Sequence, residues 1–267
     1  MSAIMASLAT YMHTVALLIR GGVRPGSIVF YPIGRRWNGT NRLKLRNGIT
    51  LVAPREEPLL SLFEEVWVKR YYAPPGYTIA AGEVIIDIGA HVGTFTVWAA
   101  SANRQARVIA VEPFGPNLRY LRQNVAANRL ANVTILEACC GGTEGTVELQ
   151  ARGPAARNTI YCSDNYGSIF RAIAQVHVVT LDRIFSEQGI EHCDLLKLDC
   201  EGAEYDILYA ASETTLARIR RIAMEYHVGM NQHRPELLAA KLEQCGFTVD
   251  LHPPMDEEGG YMLASRK

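Results

Sequence analysis

Three sets of acidic residues, each at the end of an apolar run, are the ones in this chain whose types and spacing could do chemistry. Asp87 lies within Val84-Ile85-Ile86-Asp87-Ile88, just before Gly89-Ala90-His91-Val92-Gly93. Glu112 follows Val108-Ile109-Ala110-Val111, while Asp199, Glu201 and Glu204 follow Leu195-Leu196-Lys197-Leu198. A carboxylate at a buried strand end is costly unless it meets a cation, accepts hydrogen bonds or shares a proton. Each set therefore implies a partner. A dinucleotide site would want G-x-G-x-x-G, whose glycines let backbone N–H groups and a helix dipole approach a pyrophosphate. Here the spacing is Gly89-x-x-x-Gly93, Ala90 and His91 fill the place of the middle glycine, and Asp87 would repel phosphate. That pattern suits a ligand with an amino-acid end and no phosphate, S-adenosylmethionine, whose ammonium Asp87 could take unless it simply fixes the loop.

Glu112 follows Asp87 at close to the roughly 20-residue interval at which a carboxylate reaches ribose hydroxyls from the next strand. It can accept two hydrogen bonds from a 2′,3′-diol, and Pro113 stops its strand where ligands lie in open α/β sheets, outside the carboxyl ends. The acids after Leu198 crowd one strand end, which is costly unless they bind something positive or share protons. Asp199 is placed to face a sulfonium methyl and the incoming nucleophile, although Glu201 and Glu204 could instead cap a helix. His227 ends a further apolar strand (Ile219–Met224) beside Glu225. The expected catalytic set is His227, Asp199 and Glu201, with His227 or Asp199 as the base that takes the acceptor's proton, since histidine's ordinary pKa is the better matched. A Mg²⁺ held by Asp199 and Glu225 is the alternative, not favoured because a hard cation's full ligand set is not spelled out.

These residues need a parallel sheet to gather them. Val84–Ile88, Val108–Val111 and Leu195–Leu198 read as strands buried on both faces. Helices are expected after Gly93, over Asn117–Asn128, from Asp182 to Phe185 and over Pro235–Gln244, and further strands at Val133–Leu136, Val147–Leu149, Val176–Leu181, Phe247–Leu251 and Tyr261–Leu263, the last two joined by an exposed turn over Asp256–Gly260. The first eighty residues read as an appended cap: a helix, a strand at Ile28–Tyr31, a hairpin of Leu43–Leu45 and Ile49–Val52 turning at Asn47-Gly48, and a helix from Pro58 to Tyr72. Residues 81–267 form the ligand-binding domain. Such caps supply substrate contacts or merely cover an edge. Ala151–Phe170 is irregular, a candidate substrate loop or a surface insertion.

With 27 basic and 27 acidic residues the chain is neutral, which points away from nucleic acid, and 48% hydrophobic content supports a proper core. Six cysteines (Cys139, Cys140, Cys162, Cys193, Cys200, Cys245) show no zinc-ligand spacing and suit a reduced, cytoplasmic setting. Ile4, Leu8, Tyr11, Val15 and Leu18 step as an amphipathic helix that packs on the body or on a second copy of the chain (a homodimer) in preference to a membrane. Two other readings compete. An NAD(P)-dependent oxidoreductase would want the missing glycine and a Tyr-x-x-x-Lys, and a non-catalytic interaction protein would not need acids at both strand ends.

VIIDIGAHVGTFTVWAA (Val84–Ala100), VEPFGPN (Val111–Asn117), VVTLDRIF leading to DLLKLDCEGAEYDIL (Asp194–Leu208) and MEYH (Met224–His227) together resemble the FkbM family of S-adenosylmethionine-dependent methyltransferases, from about Leu43 to the C-terminus. The resemblance implies an α/β class I methyltransferase fold, a Rossmann-like sheet of seven mostly parallel strands with helices on both faces and the last strand antiparallel. It implies O-methylation of a hydroxyl on a small natural product, sugar or glycolipid, with S-adenosyl-L-homocysteine as the other product. Cofactor contacts would fall to Asp87, Gly89, His91, Gly93, Thr94, Glu112, Pro113, Asn117, Ala138 and Asp199. Glu204, Glu225, Tyr72, Tyr166 and Ser168 would face the acceptor. His91 departs from the family's usual Asn, which would change any contact it makes with the methionine moiety.

Overall fold

The computed structural model describes residues 15–28, 40–73, 77–152, 157–159, 170–229, 232–254 and 259–266. Its strands in chain order are β1 (Thr40–Lys44), β2 (Thr50–Pro54), β3 (Val84–Ile88), β4 (Arg107–Val111), β5 (Val133–Leu136), β6 (Cys139–Cys140), β7 (Gly145–Arg152), β8 (Arg157–Thr159), β9 (Phe170–Val179), β10 (Leu195–Leu198), β11 (Arg221–His227), β12 (Thr248–Leu251) and β13 (Gly259–Ser265). The α-helices are α1 (Leu59–Phe63), α2 (Thr94–Ala102), α3 (Gly115–Ala127), α4 (Leu181–Glu187), α5 (Glu204–Ala210), α6 (Glu213–Ala217) and α7 (Pro235–Gln244), with a π-helix over Glu64–Lys69 continuing α1.

Seven strands make the main sheet in the order β12-β13-β11-β10-β3-β4-β5, parallel from β11 to β5, with β13 antiparallel to both its neighbours. This is the class I methyltransferase sheet that the motifs imply. The apolar runs, broken inside only by Asp87 and Lys197, are explained by cover on both faces. Ile86, Ile88, Leu196, Leu198 and Met224 pack with Phe185, Tyr205 and Leu238 on one side. Ile85, Leu195, Val108 and Ala223 pack with Leu59, Phe63, Phe95 and Val97 on the other. Because side chains alternate, Asp87 and Lys197 fall on the second face. β10 lies beside β3, where the strand order reverses and ligands of open sheets bind.

The β1–β2 hairpin is tied to α3 and to the turn after β3 by two asparagines that act as a substitute strand. Asn124 accepts from Val52 N–H and donates to the Val52 and Val92 carbonyls, each at 2.8 Å, and Asn128 pairs with the N–H and carbonyl of Thr50. Leu59 and Phe63 of α1 are sealed in the core beside this hairpin.

Several local expectations change. Residues 25–28 form a helical turn, so Ile28 does not begin a strand; residues 29–31 lie outside the described residues, as do Ile4, Leu8 and Tyr11. The single helix expected from Pro58 to Tyr72 is α-helical only to Phe63. It widens into the π-helix and ends at Arg70, whose left-handed φ of 56° breaks the ladder. β9 begins at Phe170, well before Val176, because it pairs along most of β7 in a second sheet ordered β6-β9-β7-β8, and Leu181 already opens α4. Of the expected turn over Asp256–Gly260, residues 256–258 lie outside the described residues, and Gly259 and Gly260 belong to β13. Among the described residues no helix is long and apolar enough to cross a membrane.

Candidate active site

The turn after β3 needs its glycines for steric reasons. Gly89 and Gly93 have φ of 74° and 87°, a region open to glycine and disfavoured for other L-residues. A Cβ on Gly89 would run into the Asp199 carbonyl oxygen. Gly89 and Ala90 both donate to the Val111 carbonyl at 3.0 Å, which lays the turn across the end of β4. Glu112 braces the turn there. One oxygen accepts from the His91 N–H (2.8 Å), the other from the Phe114 N–H (2.9 Å) and Asn117 Nδ2 (3.2 Å). Burial raises its pKa in spite of these donors and His91. His91 itself has a left-handed φ of 54° and pairs with Glu57 at 3.4 Å. Burial opposes its charge, and Glu57 with Glu112 and Asp199 overcomes that and raises its pKa.

Asp87 is turned the other way. Its side chain is 0% exposed, takes the Lys197 ammonium at 3.1 Å and accepts from the Thr96 hydroxyl. Lys197 also donates to the Gly89 carbonyl at 2.9 Å and lies 3.5 Å from Asp199. One buried cation thus ties the turn to the end of β10. Burial would lower the pKa of Lys197, but Asp87 and Asp199 raise it, so it stays charged.

At that end Asp199, Glu225 and His227 converge with Tyr72. The Tyr72 hydroxyl lies 3.0 Å from Asp199 Oδ2 and 3.2 Å from Glu225 Oε2, and Tyr261 donates to the same Glu225 oxygen at 3.3 Å. His227 Nδ1 meets Glu204 Oε1 at 2.8 Å, and its Nε2 is 3.6 Å from Glu201 and 4.0 Å from Glu225. Burial would lower the His227 pKa, but Glu204, Glu201 and Asp199 hold it up to about 10. An imidazolium has no lone pair to accept a proton, so in this charged form the ring acts as a donor. For Asp199, burial is outweighed by Lys197 and His227, and its pKa is lowered. Glu225 goes the opposite way, pushed up to about 8 by burial and then by Asp199.

Between Glu112 and this group lies a cavity of ≈ 320 Å³, in the range of small-molecule sites. Gly89, His91, Glu112, Pro113, Asn117 and Ala138 line one part, and Asp199, Glu201, Glu225 and His227 the other. Asp87, Gly93 and Thr94 are not among its lining residues. Glu204 is also sealed away from it, 0% exposed, closing the turn after β10 by accepting from the Cys200 and Gly202 N–H groups. Tyr166 and Ser168 lie outside the described residues. Sequence reasoning missed Glu57, Pro58, Ser61, Leu62 and Glu65, which bring the N-terminal segment to the cavity, as well as Cys140 and Leu149. The only local signal for them was the appended helix itself. Six carboxylates (Glu57, Glu65, Glu112, Asp199, Glu201, Glu225) line the cavity, and among the described lining residues there is no lysine or arginine. Asp199 and Glu225 stand at neighbouring strand ends; among the described residues no three His, Cys, Asp or Glu side chains are grouped to hold a metal ion.

The chain is 28% identical over 235 residues to the AMB antimetabolite synthetase AmbE of Pseudomonas aeruginosa, a match that takes in 74% of this chain and only 11% of that much longer protein. It is 26% identical over 234 residues to the 31-O-demethyl-FK506 methyltransferase FkbM of Streptomyces tacrolimicus, covering 78% of this chain and 88% of the relative. Among solved structures, TYW2 of M. jannaschii in complex with AdoMet aligns over 85% of each chain at 15% identity, with a TM-score of 0.45. Residues 87–249, from the acid before the glycine turn to the start of β12, match the methyltransferase FkbM domain, and the chain belongs to that family.

Proposed function

We propose that the cavity holds S-adenosylmethionine and that the protein methylates a hydroxyl of a small natural product, sugar or glycolipid. The observation that carries this reading is the acidity of the lining: six carboxyl groups, of which Glu225 holds its proton at neutral pH, against two histidines, His91 and His227, and no lysine or arginine. Such a wall repels the phosphates of a dinucleotide and attracts a ligand bearing a sulfonium and an ammonium. Glu112, with Asn117 beside it, is the carboxylate for the ribose diol. Gly89 and His91 border the amino-acid end, and Ala138 with Cys139 borders the base. Asp87, Gly93 and Thr94 act from behind, by fixing the turn.

When bound, the cofactor supplies an activated methyl group that passes to a nucleophilic oxygen. The chain's own contribution is then to align that oxygen and receive its proton. Alignment accounts for about 7–11 kcal/mol of barrier lowering in well-oriented reactions. His227, held charged by Glu204, donates to the acceptor; Asp199 stays anionic beside the transferring methyl. The acceptor enters past Pro58, Ser61 and Leu62 of the N-terminal cap. The FkbM relative is named as a methyltransferase of 31-O-demethyl-FK506, which favours an oxygen acceptor here. A cytoplasmic setting suits the free thiols of Cys139, Cys140, Cys193, Cys200 and Cys245. The test is a screen of hydroxylated small molecules with methyl-labelled cofactor. Label in an ether product is the expected result; label in an amine or a carbon–carbon product would refute O-methylation.

A further inference from the structure

The hydroxyl of Tyr72 sits between two carboxylates, 3.0 Å from Asp199 and 3.2 Å from Glu225. One hydroxyl carries one proton and cannot serve two anions at once. If Tyr72 gives its proton to Asp199, the nearer acceptor, its lone pair faces Glu225 Oε2. That second contact is then a hydrogen bond only when Glu225 itself carries a proton. Glu225 is faced by Asp199 from the end of β10, by Glu201 from the turn beyond it, by Glu65 from the π-helix, by Tyr72 and by Tyr261 of β13. On its own strand it is faced by His227. Its carboxyl is also part of the cavity wall.

We propose that Glu225 is the catalytic residue that accepts the acceptor hydroxyl's proton, and that Tyr72 is the positioning residue that builds the proton's seat by bridging Glu225 to Asp199. The inference rests on the methyltransferase reading above. In the transfer, the acceptor's O–H bond breaks as its O–CH₃ bond forms; the S–CH₃ bond breaks with its electron pair left on sulfur, and the proton goes to Glu225. The charges around Glu225 suit this exchange. In the free site burial and Asp199 keep Glu225 protonated up to about pH 8. A sulfonium beside it favours its anion, and a neutral thioether lets it hold a proton again.

The experiment compares the binding of S-adenosylmethionine and S-adenosylhomocysteine by calorimetry at pH 7, in two buffers of different ionisation enthalpy, which reads protons released without needing an acceptor. In the wild-type protein the sulfonium ligand should release close to one proton more than the thioether, a difference that fades as pH rises past 8. Glu225→Gln should abolish the difference. Tyr72→Phe should shrink it, because Glu225 loses the oxygen that accepts its proton; this second variant decides the matter if Glu225→Gln does not fold. Equal proton release by the two ligands in the wild type, or an unchanged or larger difference in Tyr72→Phe, overturns the proposal. Failure of both ligands to bind would instead overturn the reading of the cavity.

Discussion

Lys197 and Asp87 form an ion pair closed off from water, Nζ to Oδ1 3.1 Å, with side chains 3% and 0% exposed. Neither points into the cavity, yet the same ammonium holds the Gly89 carbonyl and stands beside Asp199. Breaking such a pair from one side leaves an uncompensated buried charge, a loss of about 3–5 kcal/mol. Lys197→Met should therefore lower unfolding stability by that amount in a urea titration. Adding Asp87→Asn should recover part of the loss, which a merely additive pair of substitutions would not do.

Glu112 holds the turn by three donors and also faces the cavity. Glu112→Gln keeps the size of the side chain and one acceptor oxygen but removes the charge. The expected effect is a roughly 10- to 100-fold weaker dissociation constant for S-adenosylhomocysteine, the scale of hydrogen bonds to a charged group, together with a loss of about 1–3 kcal/mol in unfolding stability, because the amide nitrogen then faces the His91 or the Phe114 N–H. Titration calorimetry on the variant measures it.

Gly89→Ala meets two obstacles at once, a φ of 74° and the Asp199 carbonyl in the path of the new methyl. Backbone strain of this kind costs on the order of 1–3 kcal/mol, and the turn must also move away from Lys197. A lower thermal midpoint together with lost ligand binding is expected. Gly48→Ala, at a positive φ in open space, should lower the midpoint without touching binding.

His227 binds its proton more tightly in the fold than in the unfolded chain, its pKa rising from 6.5 to about 10. The stability this gives is complete below about pH 6.5 and is lost as pH rises through about 10. In urea titrations between those limits, the gap between wild type and His227→Gln should be widest at the acid end and narrow steadily towards the alkaline end. A gap that does not change with pH would mean that Glu204 does not hold His227 charged.

What could be read from the residues alone follows from where the information is local. β3, β4 and β10 are apolar runs, broken inside only by Asp87 and Lys197, because both sheet faces are covered, and the acids near their ends stand out against them. Gly89 and Gly93 are legible because a left-handed turn needs glycine. Lys197 as the partner of Asp87 was not legible: that pairing depends on β10 lying in register beside β3, with Lys197 opposite Asp87. Nor could Glu57 and Glu65 be placed, since nothing local tells how the N-terminal helix widens into a π-helix and which way it then faces. β6, two cysteines long, carries no periodicity at all.

The central claim is that this acid-lined cavity accepts a phosphate-free adenosyl amino acid. Calorimetry of the wild-type protein with S-adenosylhomocysteine and, separately, with NADH tests it directly. One molecule of S-adenosylhomocysteine bound per chain, weakened by Glu112→Gln, and no heat from NADH is the result predicted; binding of NADH, or no binding of S-adenosylhomocysteine, would contradict it.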